Sequence, residues 1–337
     1  MTGRGSGPAG RARRAGEFSV LPLESHAMKQ AEGRRVFIQE VSVRDGFQIE
    51  PIFVPTPRKI DIVNRLSRTG LAKIEVTAFV SPKAIPALAD AEIVMRGIDR
   101  VPGVVYAALV PNVRGCERAL DCGVDEINLV MSASEGHGRA NLRMSPEQSL
   151  AAFGDIVRAA AGTGVAINAA LSTTFGCPFD GEVPPARVLG IVERYQELGI
   201  RSASLCDTTG MADPAQVERL CRDVRSRFPA MQLTAHFHNT RGMGLANVLA
   251  ALDAGIDRLD ASLGGLGGCP FAPGATGNIC TEDLVHMLER MGYRTGVDLP
   301  KLLDIARELP DLVGHEIPGQ VVKAGPSERR YPLPDRA

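Results

Sequence analysis

From Arg35 onward, short apolar runs alternate with longer segments in which apolar residues recur at every third or fourth position. The short runs predict β-strands, and the periodic segments predict amphipathic α-helices. Eight strands are predicted, at 36–41, 73–77, 104–110, 126–131, 166–171, 202–206, 232–237 and 258–262. Eight helices are predicted to follow them in turn, at 57–67, 85–98, 113–122, 146–161, 185–198, 214–227, 245–254 and 282–291.

This alternation predicts an α/β fold, a (β/α)8 TIM barrel with a parallel sheet. The alternative is an open, doubly wound sheet, which would favour a glycine-rich nucleotide fingerprint after the first strand. The residues at 42–46 read SVRDG and do not match that fingerprint. We therefore predict a catalytic barrel over 35–300. Residues 301–337 would add a short helix at 304–308 and a tail, which covers the barrel or lies loose.

The first 34 residues differ in composition from the rest of the chain. Residues 1–16 are rich in Gly, Arg and Ala, and the first acidic residue is Glu17. Without an apolar core segment this is not a secretory signal, although an Arg-rich, acid-poor start allows a transit peptide. We expect residues 1–34 to be a disordered extension, or translation to begin at Met28.

Composition and charge narrow the class of partner. The 337 residues are 44% hydrophobic and 23% charged, with a formal net charge of −1. This balance suits a soluble globular protein and gives no electrostatic reason to expect nucleic acid or an anionic membrane as the partner. No apolar stretch approaches the roughly 20 residues that span a bilayer. Seven cysteines without a CxxC pair indicate reduced thiols and a cytoplasmic location.

Polar and ionisable residues follow the predicted strands at their C-terminal ends, where (β/α)8 barrels place their chemistry. In strand order they are Arg44, Asp45 and Gln48; Glu75; Asn128 and the loop 132–137; Ser172; Asp207; His236 and His238; and Cys269. Acids, imidazoles, an arginine and a thiol would therefore share one mouth of the barrel.

His236 and His238 are separated by one residue, so in a strand their side chains share a face and can bind one metal ion. A carboxylate from Asp45 or Glu75 would complete a site that either Zn²⁺ or an octahedral ion accepts. Because neutral oxygen donors such as Asn278 are available and thiolate pairs are absent from the sequence, Mg²⁺ or Mn²⁺ is favoured. Arg44 beside such an ion would help to stabilise an alkoxide and an enolate.

Two segments carry a family resemblance. Residues 43–48, VRDGFQ, and 236–240, HFHNT, resemble the shared signature of the metal-dependent barrel lyases and Claisen-type synthases. This group includes 3-hydroxy-3-methylglutaryl-CoA (HMG-CoA) lyase, isopropylmalate synthase and homocitrate synthase. Residues 264–278, GGLGGCPFAPGATGN, are similar to the cysteine-containing loop of the lyase branch. The synthases typically have a shorter loop there and a large C-terminal region.

The resemblance implies a role for each of these residues. Asp45, His236, His238 and Asn278 would be metal ligands, and Arg44 would bind the thioester carbonyl. Cys269 would be an acid–base group on a mobile loop, with Glu75 and Asp207 as supporting carboxylates. His236 would also take part in catalysis, and Gln48 and Ser172 would contact the substrate.

The expected activity is that of a divalent-metal-dependent acyl-CoA lyase, acting as a cytoplasmic homo-oligomer, a dimer. It would cleave HMG-CoA, or a close analogue such as citramalyl-CoA, to acetyl-CoA and a keto acid by retro-Claisen chemistry. Asn239 stands where many of the lyases have an acidic residue, and it resembles the synthase branch at this position. Phe47 and Ile49 also replace commoner residues next to the signature. The identity of the substrate is therefore left open. The alternatives are a Claisen-condensing synthase and, with less support, a metal-dependent hydrolase.

Overall fold

The computed structural model describes residues 1–3, 32–268 and 276–333. Eight parallel strands, each hydrogen-bonded to the next and the last to the first, form a closed barrel. They are β1 (Phe37–Glu40), β2 (Lys73–Ala78), β3 (Val105–Leu109), β4 (Glu126–Ser132), β5 (Ala166–Ser172), β6 (Ser202–Asp207), β7 (Gln232–Phe237) and β8 (Arg258–Ala261). The predicted (β/α)8 TIM barrel is confirmed. Within the described residues no helix is long and apolar enough to cross a membrane.

The helices alternate with the strands around the barrel. The α-helices of the described residues are α1 (Thr56–Leu66), α2 (Ala91–Gly97), α3 (Val113–Asp121), α4 (Glu135–Leu142), α5 (Pro146–Ala160), α6 (Pro185–Glu197), α7 (Pro214–Arg227), α8 (Gly244–Asp253), α9 (Thr281–Arg290), α10 (Leu299–Ala306), α11 (Leu309–Val313) and α12 (Val321–Ala324). Helix α5 begins with a capping box, in which Ser145 Oγ accepts from Gln148 N–H and the Gln148 side chain accepts from Ser145 N–H.

Two helical predictions and one loop prediction were wrong in extent. The helix predicted at 85–98 is a 3₁₀ turn, Pro86–Leu88, followed by α2, because Asp90 between them accepts from Lys59 Nζ at 2.7 Å. The loop predicted at 132–137 contains the start of α4. The two glycines of α4 lower its local helix propensity, and a hydrogen bond from Gly136 N–H to Asp180 stabilises the helix. The helix predicted at 304–308 is α10, which starts earlier because Asp298 accepts from Lys301 N–H.

The C-terminal helices pack against the segment that leaves β8. Leu309 and Ile317 are buried and lie against Gly264, where an added Cβ would be 2.9 Å from a methyl group of each. Gly264 has a φ of +67°, a conformation that glycine adopts without strain. The C-terminal segment therefore packs against the turn after β8 and supports it. The division of the chain at residues 34 and 300 stays a prediction.

Candidate active site

The segment after β1 positions two of the predicted site residues. It leaves the barrel as a short π-helical turn, Ser42–Gly46, instead of continuing as a strand. The turn is closed by hydrogen bonds from the backbone N–H groups of Asp45 and Gly46 to the carbonyl of Val41. It carries Arg44 and Asp45 over the C-terminal mouth of the barrel.

Asp45 lies beside both histidines of the HFH segment. Ligand atoms of Asp45, His236 and His238 all lie within 4.8 Å of one another, and the three residues are buried. The two imidazole centroids are 5.2 Å apart. The structure therefore brings together the two histidines and the carboxylate that the sequence predicted as ligands. Their role in binding a metal stays a prediction.

Asn278 reaches the same cluster from the chain that precedes α9. Its backbone forms a bridge with His238, and Ile279 N–H donates to the carbonyl of Phe237 at 3.1 Å. Its Nδ2 donates to Asp45 Oδ2 at 2.7 Å, while its buried Oδ1 has no hydrogen-bond partner within the described residues. An acceptor oxygen without a donor beside a carboxylate and two imidazoles is what a fourth metal ligand would provide.

The electrostatics of the cluster suit a cation. Burial would raise the pKa of Asp45, but Arg44 and then His236 lower it, so the carboxylate stays ionised. Burial and the neighbouring His236 lower the pKa of His238 to about 4, which leaves a neutral imidazole. Burial also acts to lower the pKa of His236, yet Asp260 and Asp45 raise it.

The residues present fit a divalent ion. Two imidazoles, one carboxylate and one amide oxygen form a donor set that Mg²⁺, Mn²⁺ or Zn²⁺ accepts. The backbone of Gly267 approaches closely, because a Cβ there would be 2.6 Å from Asn278 Nδ2 and 3.2 Å from Asp45 Oδ2. Because Gly267 has no side chain, the space beside these donor atoms stays open.

Arg44 is held by two carboxylates. Its Nε donates to Glu75 Oε2 at 2.5 Å, and its Nη1 donates to Asp45 Oδ1 at 2.6 Å. Burial opposes the cation, but Glu75 and Asp45 raise the pKa of Arg44, so the guanidinium stays charged. Glu75 is fixed in turn by Asn128, whose Nδ2 donates to it at 2.7 Å. The remaining nitrogen of the guanidinium, Nη2, has no hydrogen-bond partner among the described residues.

The other predicted site residues occupy different positions. Gln48 is half-buried and donates to Asp45 Oδ1 at 2.9 Å, so it contacts a candidate ligand. Asp207 ends β6, where its Oδ1 accepts from the backbone of Met211 and its buried Oδ2 has no partner among the described residues. Ser172 ends β5 and is buried, with no side-chain hydrogen bond to the candidate ligands in the described part of the chain. Cys269 lies outside the described residues.

Sequence reasoning missed Asp260 and Glu40. Asp260 on β8 is the register partner of His236, and its Oδ2 lies 3.2 Å from His236 Nδ1. Arg258 and Asp260 are polar residues two apart in a barrel strand, and this alternation was a signal for side chains that face the interior. Glu40 ends β1 with its side chain fully buried.

Fold and site together define a (β/α)8-barrel protein with a candidate divalent-metal centre beside a fixed arginine. The HMGL-like family model matches residues 35–309. Hydroxymethylglutaryl-CoA lyase YngG of Bacillus subtilis is 49% identical over 287 residues, which cover 85% of this chain and 96% of that protein. The mitochondrial hydroxymethylglutaryl-CoA lyase of Gallus gallus is 42% identical over 271 residues, which cover 80% of this chain and 91% of that protein.

A solved structure is also similar along nearly its whole length. An HMG-CoA lyase from Acinetobacter baumannii, in complex with coenzyme A and 3-methylmalate, is 52% identical with a TM-score of 0.86. The match covers 89% of this chain and 98% of that one. The chain belongs to the HMGL-like family, and it is an enzyme of the carbon–carbon lyase type. The resemblance expected from the two signature segments and the loop is confirmed.

Proposed function

We propose that this protein cleaves HMG-CoA, or an acyl-CoA that differs from it only at C3, to acetyl-CoA and a keto acid. The observation that carries the proposal is the buried cluster of Asp45, His236 and His238 beside the doubly bound Arg44. Support comes from the 52% identity to an HMG-CoA lyase that was solved with coenzyme A bound.

The reaction breaks the C2–C3 bond without net oxidation. The C3 hydroxyl loses its proton, and its oxygen becomes the ketone of the keto acid. The electron pair of the broken bond goes to C2 and forms the enolate of acetyl-CoA, which then gains a proton at C2. The site must therefore accept one proton, stabilise an enolate and deliver one proton.

Arg44 is suited to stabilise the enolate. Glu75 and Asp45 fix two edges of its guanidinium and leave Nη2 free to donate to the thioester oxygen. That oxygen gains negative charge as the C2–C3 bond breaks, so a donor fixed in advance lowers the barrier more than it strengthens substrate binding.

A divalent ion, Mg²⁺ or Mn²⁺, would be held by Asp45, His236, His238 and Asn278, and when bound it supplies a Lewis acid that lowers the pKa of the C3 hydroxyl. The chain orients these donors in advance. Gln48 and Arg44 both donate to Asp45 Oδ1, and Asp260 contacts His236 Nδ1.

Asp207 is the proposed acceptor of the hydroxyl proton. Burial raises its pKa to about 6, although hydrogen bonds from Met211 and Ala212 oppose the shift. A carboxylate with this pKa is ionised at neutral pH and still basic enough to take a proton. Its Oδ2 is the oxygen without a partner among the described residues.

The assignment of Cys269 as the acid that protonates C2 stays a prediction of the sequence. We also propose a cytoplasmic homodimer. The six cysteines within the described residues are free and buried, which supports a reducing compartment. A relative from Mus musculus that is 38% identical is named a cytoplasmic HMG-CoA lyase.

The test is incubation of the purified protein with Mg²⁺ and HMG-CoA, with products separated by chromatography. Acetyl-CoA and a keto acid in equal amounts are expected. Release of free CoA without carbon–carbon cleavage would indicate a hydrolase instead. If neither HMG-CoA nor analogues with longer C3 substituents yield acetyl-CoA, the proposed reaction is wrong.

A further inference from the structure

Glu40, the last residue of β1, accepts three hydrogen bonds in a fully buried position. Its Oε1 accepts from the backbone N–H of Ser42 at 2.8 Å and from that of Leu263 at 2.9 Å. Its Oε2 accepts from Thr281 Oγ1 at 2.7 Å. One carboxylate therefore joins the turn after β1 to two segments whose donors lie 223 and 241 residues further along the chain than Glu40.

Each donor lies at the start of a segment next to the candidate metal centre. Ser42 begins the π-helical turn that carries Arg44 and Asp45. Leu263 begins the glycine-rich segment after β8, 263–268, which passes over Asp45. Thr281 follows Asn278 by three residues and begins α9.

The three segments meet too closely for side chains to absorb a displacement. A Cβ on Gly277 would overlap the carbonyl oxygen of Gly265, and a Cβ on Gly267 would be 3.2 Å from the main-chain carbonyl oxygen of Asp45. Main chain therefore packs directly on main chain around the Asn278–Asp45 contact. A shift of one segment must move Asn278 relative to Asp45.

We propose that Glu40 is a positioning residue that holds Asn278 against Asp45, although it touches neither of them. Its three hydrogen bonds fix the relative placement of the turn, the glycine-rich segment and the start of α9. Glu282 adds a separate link between α9 and the glycine-rich segment, since its Oε2 accepts from Gly264 N–H at 3.0 Å. The inference rests on the proposed function insofar as Asp45 and Asn278 bind a metal.

Thr281 offers the sharpest test, because valine matches its shape and removes only the hydroxyl that reaches Glu40. We expect Thr281→Val to bind Mn²⁺ about 10-fold more weakly, the lower end of the effect that outer partners of metal ligands have. Thr281→Ser keeps the hydroxyl and should bind Mn²⁺ as the wild type does. Glu40→Gln keeps an oxygen for both backbone donors, so its Mn²⁺ affinity should lie between those of the wild type and Thr281→Val.

Mn²⁺ binding is measured by the loss of the free-ion electron paramagnetic resonance signal, well below the melting temperature and without substrate. Tyr106→Phe is the control for general destabilisation. It removes a buried hydroxyl that bonds Ser67 and Val101 at the start of β3, so its melting temperature should fall while its Mn²⁺ affinity stays unchanged.

Two outcomes would overturn the inference in distinguishable ways. If the wild type binds Mn²⁺ and Thr281→Val binds it equally well, Glu40 does not position the ligands and the proposed function is unaffected. If the wild type itself fails to bind Mn²⁺, the proposed metal centre is wrong and the inference falls with it.

Discussion

Asp260 on β8 and His236 on β7 are register partners in the barrel, and Asp260 Oδ2 lies 3.2 Å from His236 Nδ1. This contact engages Nδ1 and leaves Nε2 as the ring nitrogen available to a metal ion. Asp260 lies outside the cluster of Asp45, His236 and His238, so it acts on the site by fixing the orientation of an imidazole. Carboxylate–histidine pairs of this kind raise the basicity of the metal-binding nitrogen.

We therefore expect Asp260→Asn to weaken Mn²⁺ binding about 10- to 100-fold, because the amide loses the charge that holds the imidazole. Mn²⁺ titration followed by electron paramagnetic resonance measures the effect. Asp257→Asn, the same change just before β8 begins, is the matched control and should bind like the wild type. Equal affinity of Asp260→Asn and the wild type would show that Asp260 does not orient a ligand.

Substitution of Asp45 and substitution of Cys269 should have different effects on Mn²⁺ affinity and turnover. Asp45→Ala deletes a candidate ligand that also holds Arg44, so both Mn²⁺ affinity and turnover should be lost. Cys269→Ser removes the proposed proton donor and should reduce kcat far more than Mn²⁺ affinity. Parallel Mn²⁺ titrations and steady-state assays separate the two effects. Similar loss of Mn²⁺ affinity in both variants would contradict the assigned roles.

Arg44→Lys tests the role of the guanidinium. A lysine ammonium cannot donate to Glu75 and Asp45 and also present a fixed donor to the substrate, because it lacks the planar fork. We expect kcat to fall about 100- to 1,000-fold, the usual cost of losing one fixed donor to a developing oxyanion. KM should change much less. Unchanged kcat with raised KM would mean that Arg44 only binds substrate.

Glu282 makes stability depend on pH. Burial raises its pKa to about 8, against an ordinary value of 4.5, although the Gly264 N–H opposes the shift. The folded state therefore holds this proton more tightly than the unfolded state. The stabilisation is fully present below about pH 4.5 and is lost as pH rises towards 8.

Glu282→Gln, which is neutral at every pH, should remove this dependence. Its melting temperature relative to the wild type should rise steadily between about pH 5 and pH 8.5. Differential scanning calorimetry at several pH values measures the difference. Glu117→Gln, the same change at an exposed position of α3, is the matched control. A flat difference for Glu282→Gln would mean that Glu282 is ionised in the folded protein.

The fold was predictable because local pattern and tertiary structure agree along most of the chain. All eight predicted strands match the observed ones to within one residue at each end. Helix α4 was not predictable in this way, since Gly136 and Gly138 lower its local helix propensity. It depends on tertiary contacts, namely the hydrogen bond from Gly136 N–H to Asp180 and the burial of His137.

The candidate site was predictable where its residues belong to a local sequence motif or follow the end of a predicted strand. The spacing of His236 and His238 predicted their shared face, and the VRDG segment placed Asp45 at the same mouth. Glu40 could not be recognised, because two of its donors, Leu263 and Thr281, are 223 and 241 residues away. A single buried carboxylate has no pattern in the sequence that reveals its partners.

Asp207→Asn tests the proposed proton acceptor. Asparagine keeps an oxygen for the backbone N–H groups of Met211 and Ala212, so the turn after β6 should be preserved. We expect kcat to fall about 100-fold or more, because proton transfer by a positioned base contributes at least that much. Circular dichroism and the melting temperature should match those of the wild type.

The pH dependence of kcat/KM identifies the role of Asp207 more directly. Because its pKa is raised to about 6, the wild type should lose activity as pH falls through 6 and the carboxylate becomes protonated. This acid limb should be absent from the residual activity of Asp207→Asn, since the amide does not titrate in that range. If the limb persists in the variant, the proton is accepted by another group, and Asp207 serves only to shape the turn.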